Sequence, residues 1–306
     1  MLYKVVIFGN KETTEKMIRF IHNEIIPINL IITVKNITLQ NQISGYKDLT
    51  TLSNELGIQC FQVSDYKLMD KTSLEFFYRN SFEIGISIGW QRIIPEQILN
   101  KFDFGIFGFH GSAGHLPYGR GRSPLNWSII KGHKRFINNC FKYNPKADEG
   151  SIHSIKVFEI NEFDTIQTLQ YKSFLVGKEQ ISNLIHDYLD NSITLRPQVS
   201  NKTSWYPKRS AKDGRISLNS STVEIYNLIR AVTHPFPGAY LFTSKGSKII
   251  IWEAYPFDYF LDTINYKVGE VIEIFKKDMI VKTIDGSLII KNYETDDKIN
   301  AKDILY

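Results

Sequence analysis

The sequence predicts an α/β protein: a Rossmann-like, mostly parallel sheet with helices on both faces, followed by a small C-terminal β-rich (OB-like) domain. Three observations predict this architecture. Short apolar runs alternate with amphipathic segments through the N-terminal part of the chain, as in a parallel sheet covered by helices. Beyond Gly238 the runs become β-rich and are divided by Gly and Asp turns. The 306 residues, 42% of them hydrophobic, suffice for one large domain and a smaller one.

The chain opens with a predicted βαβ unit. Val5–Phe8 is an apolar run of strand length, Glu12–Glu24 carries apolar residues on one side of a helix, and Leu30–Val34 is a second buried strand. Gly9 follows the first strand without a G-x-G-x-x-G pattern. A nicotinamide dinucleotide site is therefore not expected.

The middle of the chain continues the alternation of strands and helices. The predicted strands are Ile58–Val63, Ile84–Ile88, Ile106–Phe109 and Ser154–Glu159, and the predicted helices are Lys71–Arg79, Pro95–Asn100, Asn126–Lys131 and Glu179–Leu189. The polar, irregular stretch from Asn191 to Lys212 is interpreted as a long functional loop or a connector.

The C-terminal part begins with a predicted helix at Ser221–Ala231, where a Ser-Ser-Thr cluster offers the N-cap and Pro235 prevents continuation. Four β-rich runs then predict a small antiparallel barrel or sheet: Ile249–Trp252, Gly269–Phe275, Met279–Thr283 and Ser287–Ile290.

Composition narrows the cellular setting and the ligand class. Cys60 and Cys140 are too few for a disulfide scaffold and lack metal-ligand spacing, which favours a reducing compartment. The chain starts in strand-like sequence instead of a charged leader, and no apolar run approaches the roughly 20 residues that span a bilayer. We expect a cytoplasmic protein. The net charge of +5 favours anionic ligands, although no run of like charges marks a nucleic-acid arm.

The segment from Phe107 to Trp127 has the composition of an active-site loop, because it combines imidazole, hydroxyl and guanidinium groups with flexible glycine. His110 is expected at the end of a buried strand, where open α/β sheets place their ligands. Asp148, in an Asp-Glu-Gly turn, could fold back beside it. Without the other residues of the loop, His110 fits a packed histidine as well as a catalytic one. Asp148 by itself reads as an ordinary turn residue.

Three segments in this order resemble the 10-formyltetrahydrofolate-dependent formyltransferases. The family motif runs Asn-x-His-x-Ser, Leu-Pro-x-x-Arg-Gly-x-x-Pro and Asp-x-Gly, and the chain has Gly108-Phe-His110-Gly-Ser112, Leu116-Pro-Tyr-Gly-Arg-Gly-Arg-Ser-Pro124 and Asp148-Glu-Gly150. The resemblance covers nearly the whole chain. It is nearest to formyltransferases of nucleotide-linked aminoarabinose, which share the reading Arg-Gly-Arg-x-Pro-Leu-Asn-Trp.

The resemblance implies an enzyme that moves a formyl group from 10-formyltetrahydrofolate, as co-substrate, to the amine of a nucleotide-linked deoxyamino sugar of the kind used in surface polysaccharides. A catalytic domain over 1–200, a linker and closing helix over 201–240 and a small β-rich domain over 241–306 follow from it. The partner is the nucleotide sugar, not nucleic acid or a membrane, and the C-terminal part could serve as a homodimer surface.

The resemblance also assigns roles to residues. His110 takes the amine's proton, Asp148 orients or charge-stabilises His110, and Ser112 belongs to the catalytic loop. The folate is expected at Gln91, Arg92, Ile93 and Asp148, and the nucleotide sugar at Arg122, Tyr206, Lys208 and Arg209. Tyr206, Lys208 and Arg209 equally fit a solvated basic turn. Arg120 is interpreted as a brace of the loop and Trp90 as a core residue. No metal is required, and the histidines lack a metal-binding arrangement.

Two departures touch the catalytic loop. Gly108 replaces the family's asparagine, which offers an amide N–H to the developing oxyanion, and two extra residues lie within Ala113-Gly-His115. A backbone N–H of the loop, Ser112, a protonated His110 or His115, or a water could substitute. We favour His110 with a loop backbone group.

Two other functions stay open. Methionyl-tRNA formyltransferase would need a basic surface for RNA, yet the stretch from Lys35 to Leu49, where an inserted basic loop is sought, has only Lys35 and Lys47 as cations. A folate-binding or formyltetrahydrofolate-hydrolysing protein without amine transfer is suggested by Gly108.

Overall fold

The computed structural model describes residues 1–35, 45–198, 203–261 and 265–306. The chain divides into two compact units. The first comprises residues 1–121, 137–158 and 172–205, and the second comprises residues 122–136, 159–171 and 206–306.

A seven-stranded sheet is the centre of the first unit, and its strands run in the order β3-β2-β1-β4-β5-β7-β8. Pairing is parallel from β3 to β5, whereas β7 pairs antiparallel with β5. The strands, with the two-residue β6, are β1 (Leu2–Phe8), β2 (Leu30–Val34), β3 (Gln59–Val63), β4 (Ser81–Ser87), β5 (Phe102–Ser112), β6 (Arg120–Gly121), β7 (Arg135–Lys142) and β8 (Ile152–Glu159).

A helix follows each of the strands β1 to β4, so the predicted α/β alternation is confirmed. They are α1 (Glu12–Glu24), α2 (Thr50–Leu56), α3 (Lys71–Arg79), α4 (Glu96–Leu99), α5 (Pro124–Ile130) and α6 (Ile166–Leu189). The predicted bounds of α1, β2 and α3 agree with the observed ones. The helix predicted to begin at Glu179 begins at Ile166. Its first half was not predicted because Tyr171 and Leu175 are apolar but exposed, so no single apolar face stands out in the sequence.

Two apolar clusters pack against opposite faces of the sheet. Alternating side chains of β1 supply both, since Val5 and Ile7 lie in one cluster and Val6 and Phe8 in the other. Helices α1 and α6 complete the first cluster, and α3 and α4 complete the second. This arrangement confirms the expectation of helices on both faces.

Strand β7 was not predicted, because Asn138 and Asn139 interrupt its apolar character. Both asparagines are nevertheless buried. The side-chain amide of Asn138 donates to Oε1 of Gln180 over 2.8 Å. The side-chain amide of Gln180 donates back to the backbone carbonyl of Asn138 over 3.2 Å. Paired amides of this kind make a polar strand acceptable in a core.

Gly177 lies inside helix α6 and has room for a larger side chain. A Cβ there would meet only the Met17 side chain, at an ordinary contact distance of 3.8 Å. Glycine in a helix interior costs roughly 0.5–1 kcal/mol relative to alanine. Gly177→Ala is therefore expected to raise the free energy of unfolding by about that amount, measured by urea denaturation, and a loss of stability would contradict it.

The second unit contains a five-stranded antiparallel sheet in the order β10-β11-β14-β13-β12. This sheet confirms the predicted C-terminal β-rich domain. Helix α7 (Thr222–Val232) precedes it, and Ser221 caps the helix by accepting from the Glu224 amide. The strands are β10 (Ala239–Phe242), β11 (Lys248–Asp258), β12 (Val271–Phe275), β13 (Asp278–Lys282) and β14 (Ser287–Glu294), and the two-residue strand β9 (Trp205–Tyr206) pairs with β6.

Candidate active site

His110 lies within strand β5 and not at its end, because β5 continues to Ser112. Parallel pairing with β4 reaches only as far as Phe107, while antiparallel pairing with β7 continues through His110 to Ser112. His110 therefore projects beyond the carboxyl end of β4, the region where parallel sheets bind ligands. Asn139 lies opposite His110 on β7, and its side-chain amide donates to the backbone carbonyl of His110 over 3.1 Å.

The His110 ring lies between a carbonyl and a carboxylate. Its Nε2 is 2.8 Å from the Gly119 carbonyl oxygen, and its Nδ1 is 3.6 Å from Oδ1 of Asp148. A carbonyl oxygen only accepts, so Nε2 carries the hydrogen. In the neutral ring Nδ1 is then the nitrogen without a hydrogen, and it faces the Asp148 carboxylate.

Asp148 is held in place by its backbone conformation and by hydrogen bonds from Gly121 and Gln198. Its backbone has φ = 56°, a left-handed conformation that aspartate tolerates, and its Oδ2 accepts from the Gly121 amide over 3.0 Å. The Gln198 side chain donates to the carbonyls of Asp148 and Gly150 over 2.7 and 2.9 Å. These bonds fix the carboxylate beside His110.

Ser112 is fully buried and its hydroxyl is used by the loop. Its Oγ lies 2.8 Å from the carbonyl oxygens of both Gly114 and Tyr118, and it accepts from the Gly114 amide over 3.2 Å. The hydroxyl therefore shapes the segment that presents the Gly119 carbonyl to His110. We assign Ser112 a positioning part in the site.

Arg120 ties this loop to the Asp148 turn. Its guanidinium donates to Oε1 of Glu149 over 3.0 Å and to Oε1 of Gln198 over 2.7 Å. Only 9% of the side chain is exposed, so these charged hydrogen bonds are poorly screened. The geometry agrees with the interpretation of Arg120 as a brace.

Replacing Arg120 by leucine is expected to cost about 1–3 kcal/mol of stability, the penalty of unpairing buried charged groups. A shift of the loop by about 1 Å can also lower turnover roughly 10²-fold. Urea denaturation measures the loss of stability, and a kinetic assay measures the loss of turnover. Arg19→Leu is the control, because Arg19 pairs with Glu55 at the surface and should change neither property. Equal behaviour of the two variants would contradict the brace.

Gly108 faces a tyrosine that sequence reasoning missed. A Cβ at position 108 would lie less than 3.0 Å from the Tyr143 hydroxyl, closer than real Cβ contacts. The Tyr143 hydroxyl donates to Oγ of Ser87 over 3.2 Å. The residue is partly exposed, but its phenol group is enclosed, and this burial raises the pKa of Tyr143 to about 12. The only signal in the sequence was the absence of a side chain at Gly108.

A cavity of about 500 Å³ adjoins Tyr143, within the size range of small-molecule sites. It is lined by Leu99, Phe102 and Ile106 and by the segment 142–145. Gln91, Arg92 and Ile93 are not among the described residues that line it. The Gln91 amide donates to the Tyr66 hydroxyl over 2.8 Å, Arg92 lies 5.1 Å from the centre of the Tyr66 ring, and Ile93 is exposed.

The second unit matches a known family. Residues 208–305, about a third of the chain, match the family described as "Formyl transferase, C-terminal domain".

Solved structures extend the likeness to the whole fold. A variant of HypX from Aquifex aeolicus matches with 15% identity and a TM-score of 0.65 over 100% of this chain and 46% of HypX, so the chain spans about half the length of HypX. WlaRD, a sugar 3N-formyl transferase solved with dTDP and 5-N-formyl-THF, matches with 20% identity and a TM-score of 0.63, covering 98% of this chain and 100% of WlaRD. Methionyl-tRNA formyltransferase from Clostridium thermocellum matches with 18% identity and a TM-score of 0.56, covering 93% and 100%. The chain therefore has the formyltransferase fold.

The expected nucleotide-sugar residues lie in the second unit, and two of them, Lys208 and Arg209, fall within the matched residues 208–305. Buried Tyr206 stacks on Trp127 with ring centres 6.0 Å apart. Arg209 lies 5.0 Å from the centre of the Trp127 ring and donates to the Asp213 carbonyl over 2.7 Å. Arg122 and Lys208 are exposed. Tyr206 and Arg209 thus belong to a stacked cluster, whereas the other two present their charges to solvent.

The described residues hold neither a metal-binding cluster nor a membrane-spanning helix. Within 1–35, 45–198, 203–261 and 265–306, no three or more His, Cys, Asp or Glu side chains are grouped to hold a metal ion. In the same ranges, no helix combines the length and the apolar character needed to cross a membrane.

Proposed function

We propose that this protein transfers a formyl group from 10-formyltetrahydrofolate to the amino group of a nucleotide-linked deoxyamino sugar. The observation that carries the proposal is the pairing of His110 with Asp148, 3.6 Å apart at the carboxyl end of β4. The fold of the formyltransferases and the C-terminal domain match support the same reaction class.

His110 moves the proton in this scheme. The amine nitrogen attacks the formyl carbon, a new C–N bond forms, and Nδ1 of His110 accepts the proton that the amine loses. The bond from the formyl carbon to N10 of the folate then breaks, and the same proton is returned to N10. Asp148 stabilises the imidazolium between the two steps, and such acid–base catalysis typically contributes about 10²–10⁴-fold.

The folate is assigned to the segment Gln91–Ile93 and to Asp148, whose Oδ1 lies 3.6 Å from Nδ1 of His110. Arg92 and Ile93 are exposed in that segment. WlaRD, which shares the fold, was solved with a formylated folate.

The nucleotide sugar is assigned to the second unit. Arg122 and Lys208 are exposed cations suited to a diphosphate, and Tyr206 and Arg209 support them through the cluster with Trp127. WlaRD was solved with dTDP, which supports a nucleotide-linked acceptor. We further propose a cytoplasmic homodimer serving polysaccharide biosynthesis, with a catalytic domain over 1–200, a linker over 201–240 and the β-rich domain over 241–306.

Methionyl-tRNA formyltransferase is the second candidate, because the Clostridium thermocellum enzyme shares the fold. A tRNA acceptor requires cations free to contact phosphates. Of the two cations between Lys35 and Leu49, Lys47 pairs with Glu15 over 3.2 Å. Residues 36–44 of that stretch lie outside the described residues. The pairing of Lys47 favours the sugar acceptor.

An acceptor panel tests the proposal. Purified protein is incubated with 10-formyltetrahydrofolate and, separately, with nucleotide-linked amino sugars, with methionyl-tRNA and with no acceptor. A nucleotide sugar heavier by one formyl group supports the proposal. Formylated methionyl-tRNA would move the assignment to the second candidate. Formate released equally with and without acceptors would indicate a folate hydrolase.

A further inference from the structure

Gly108, His110 and Tyr143 share one face of the sheet. Side chains two positions apart on a strand point the same way, so Gly108 and His110 face the same side of β5. The Tyr143 amide donates to the Ile106 carbonyl over 2.7 Å, which continues the β7 pairing beside β5. The register of Ile86 with Phe107 places Ser87 next to Gly108 on the other side.

The Tyr143 hydroxyl therefore occupies the room that a side chain at position 108 would fill. Any Cβ there would overlap the phenol oxygen and two phenol ring carbons. Tyr143 can adopt this position only because residue 108 is glycine. Its hydroxyl, an O–H donor, therefore lies on the same face of the sheet as His110. Tyr143 also lines the adjoining cavity.

We propose that Tyr143 is a further catalytic residue whose hydroxyl donates a hydrogen bond to the formyl oxygen as negative charge develops there. The inference rests on the proposed function. Tyr143 stays protonated throughout and takes no part in proton transfer. Its present acceptor is Oγ of Ser87 at 3.2 Å, a long bond for two hydroxyl groups that a substrate oxygen can replace.

Other donors near His110 are less suited to this part. The Ser112 hydroxyl hydrogen has carbonyl acceptors in its own loop, and His115 is exposed. The Nε2 hydrogen of His110 is directed at the Gly119 carbonyl, while Nδ1 serves as the base. Tyr143 is thus a donor left for the formyl oxygen on this face.

Tyr143→Phe removes only the hydroxyl. Loss of one preorganised oxyanion donor typically lowers kcat about 10²–10³-fold, so we expect a fall of that size with little change in KM for the folate. Tyr3→Phe is the matched control, because Tyr3 is also buried and its hydroxyl donates to Gln59 over 2.9 Å within the same unit. Tyr3→Phe should keep its specific activity. Equal activity of Tyr143→Phe and wild type would overturn the inference.

A binding readout separates this inference from the proposed function. The formyl C=O stretch of isotope-labelled 5-formyltetrahydrofolate is recorded on wild type and on Tyr143→Phe. A lower frequency on wild type that is lost in the variant supports the donor role even if no acceptor amine is formylated. Identical frequencies, or no folate binding, would overturn it.

A coupled pair of substitutions tests the shared space. Gly108→Asn alone should abolish turnover because the new side chain overlaps the Tyr143 phenol. Adding Tyr143→Ala makes room for the asparagine, whose side-chain amide is itself a hydrogen-bond donor. The turnover of the double variant should therefore be at least 10-fold higher than that of Gly108→Asn. No recovery in a folded double variant would contradict the exchange of one donor for the other.

Discussion

Replacing His110 by alanine is expected to lower turnover about 10²–10⁴-fold while the protein stays folded. The ring is held by the Gly119 carbonyl on one side and faces the Asp148 carboxylate on the other, so it is the group able to take the amine's proton in this pocket. Single-turnover formation of formylated product measures the loss, and circular dichroism confirms the fold.

A second histidine–aspartate pair in the same unit provides the control. Nε2 of His153 lies 2.8 Å from Oδ2 of Asp187, and the His153 side chain is as buried as that of His110. His153→Gln should reduce stability but leave turnover per folded molecule unchanged. If both variants lost turnover alike, or if His110→Ala retained it, the histidine would have no place in the mechanism.

Gly150→Ala is expected to disrupt the site through the backbone. A Cβ at Gly150 would overlap the carbonyl oxygen of Lys142 at the end of β7, and a backbone atom cannot rotate away. Overpacking of this kind costs typically about 1–3 kcal/mol and sometimes more. Displacing the turn also moves Asp148, two residues away, so we expect turnover to fall at least 10²-fold.

Gly177→Ala is the matched control for this variant, since it adds the same methyl group to the same unit at a place with room. Urea denaturation should show the two variants changing stability in opposite directions. A stable and active Gly150→Ala would mean that the turn carrying Asp148 is not held against β7 as described here.

The sequence predicted most of the fold because the signals were local. Helices α1 and α3 have one apolar side each, and strand β2 is an unbroken apolar run, so their bounds needed no tertiary information. Strand β7 was missed because its buried asparagines are tolerated only through the distant Gln180. The early start of α6 was missed because exposed apolar residues hide its periodicity.

The candidate site was predictable where it followed from order along the chain. His110 and Asp148 were paired from motif spacing, and the structure brings them together. The use of Ser112 by loop carbonyls depends on the folded loop, and the placing of Tyr143 over Gly108 depends on how β5 and β7 pair. Such contacts join residues far apart in sequence, and no local pattern encodes them.

A crystal structure with 5-formyltetrahydrofolate tests the central claim most directly. The account predicts the formyl oxygen about 3 Å from the Tyr143 hydroxyl and the formyl group facing Nδ1 of His110. A folate whose formyl group points away from His110 and Tyr143 would contradict it.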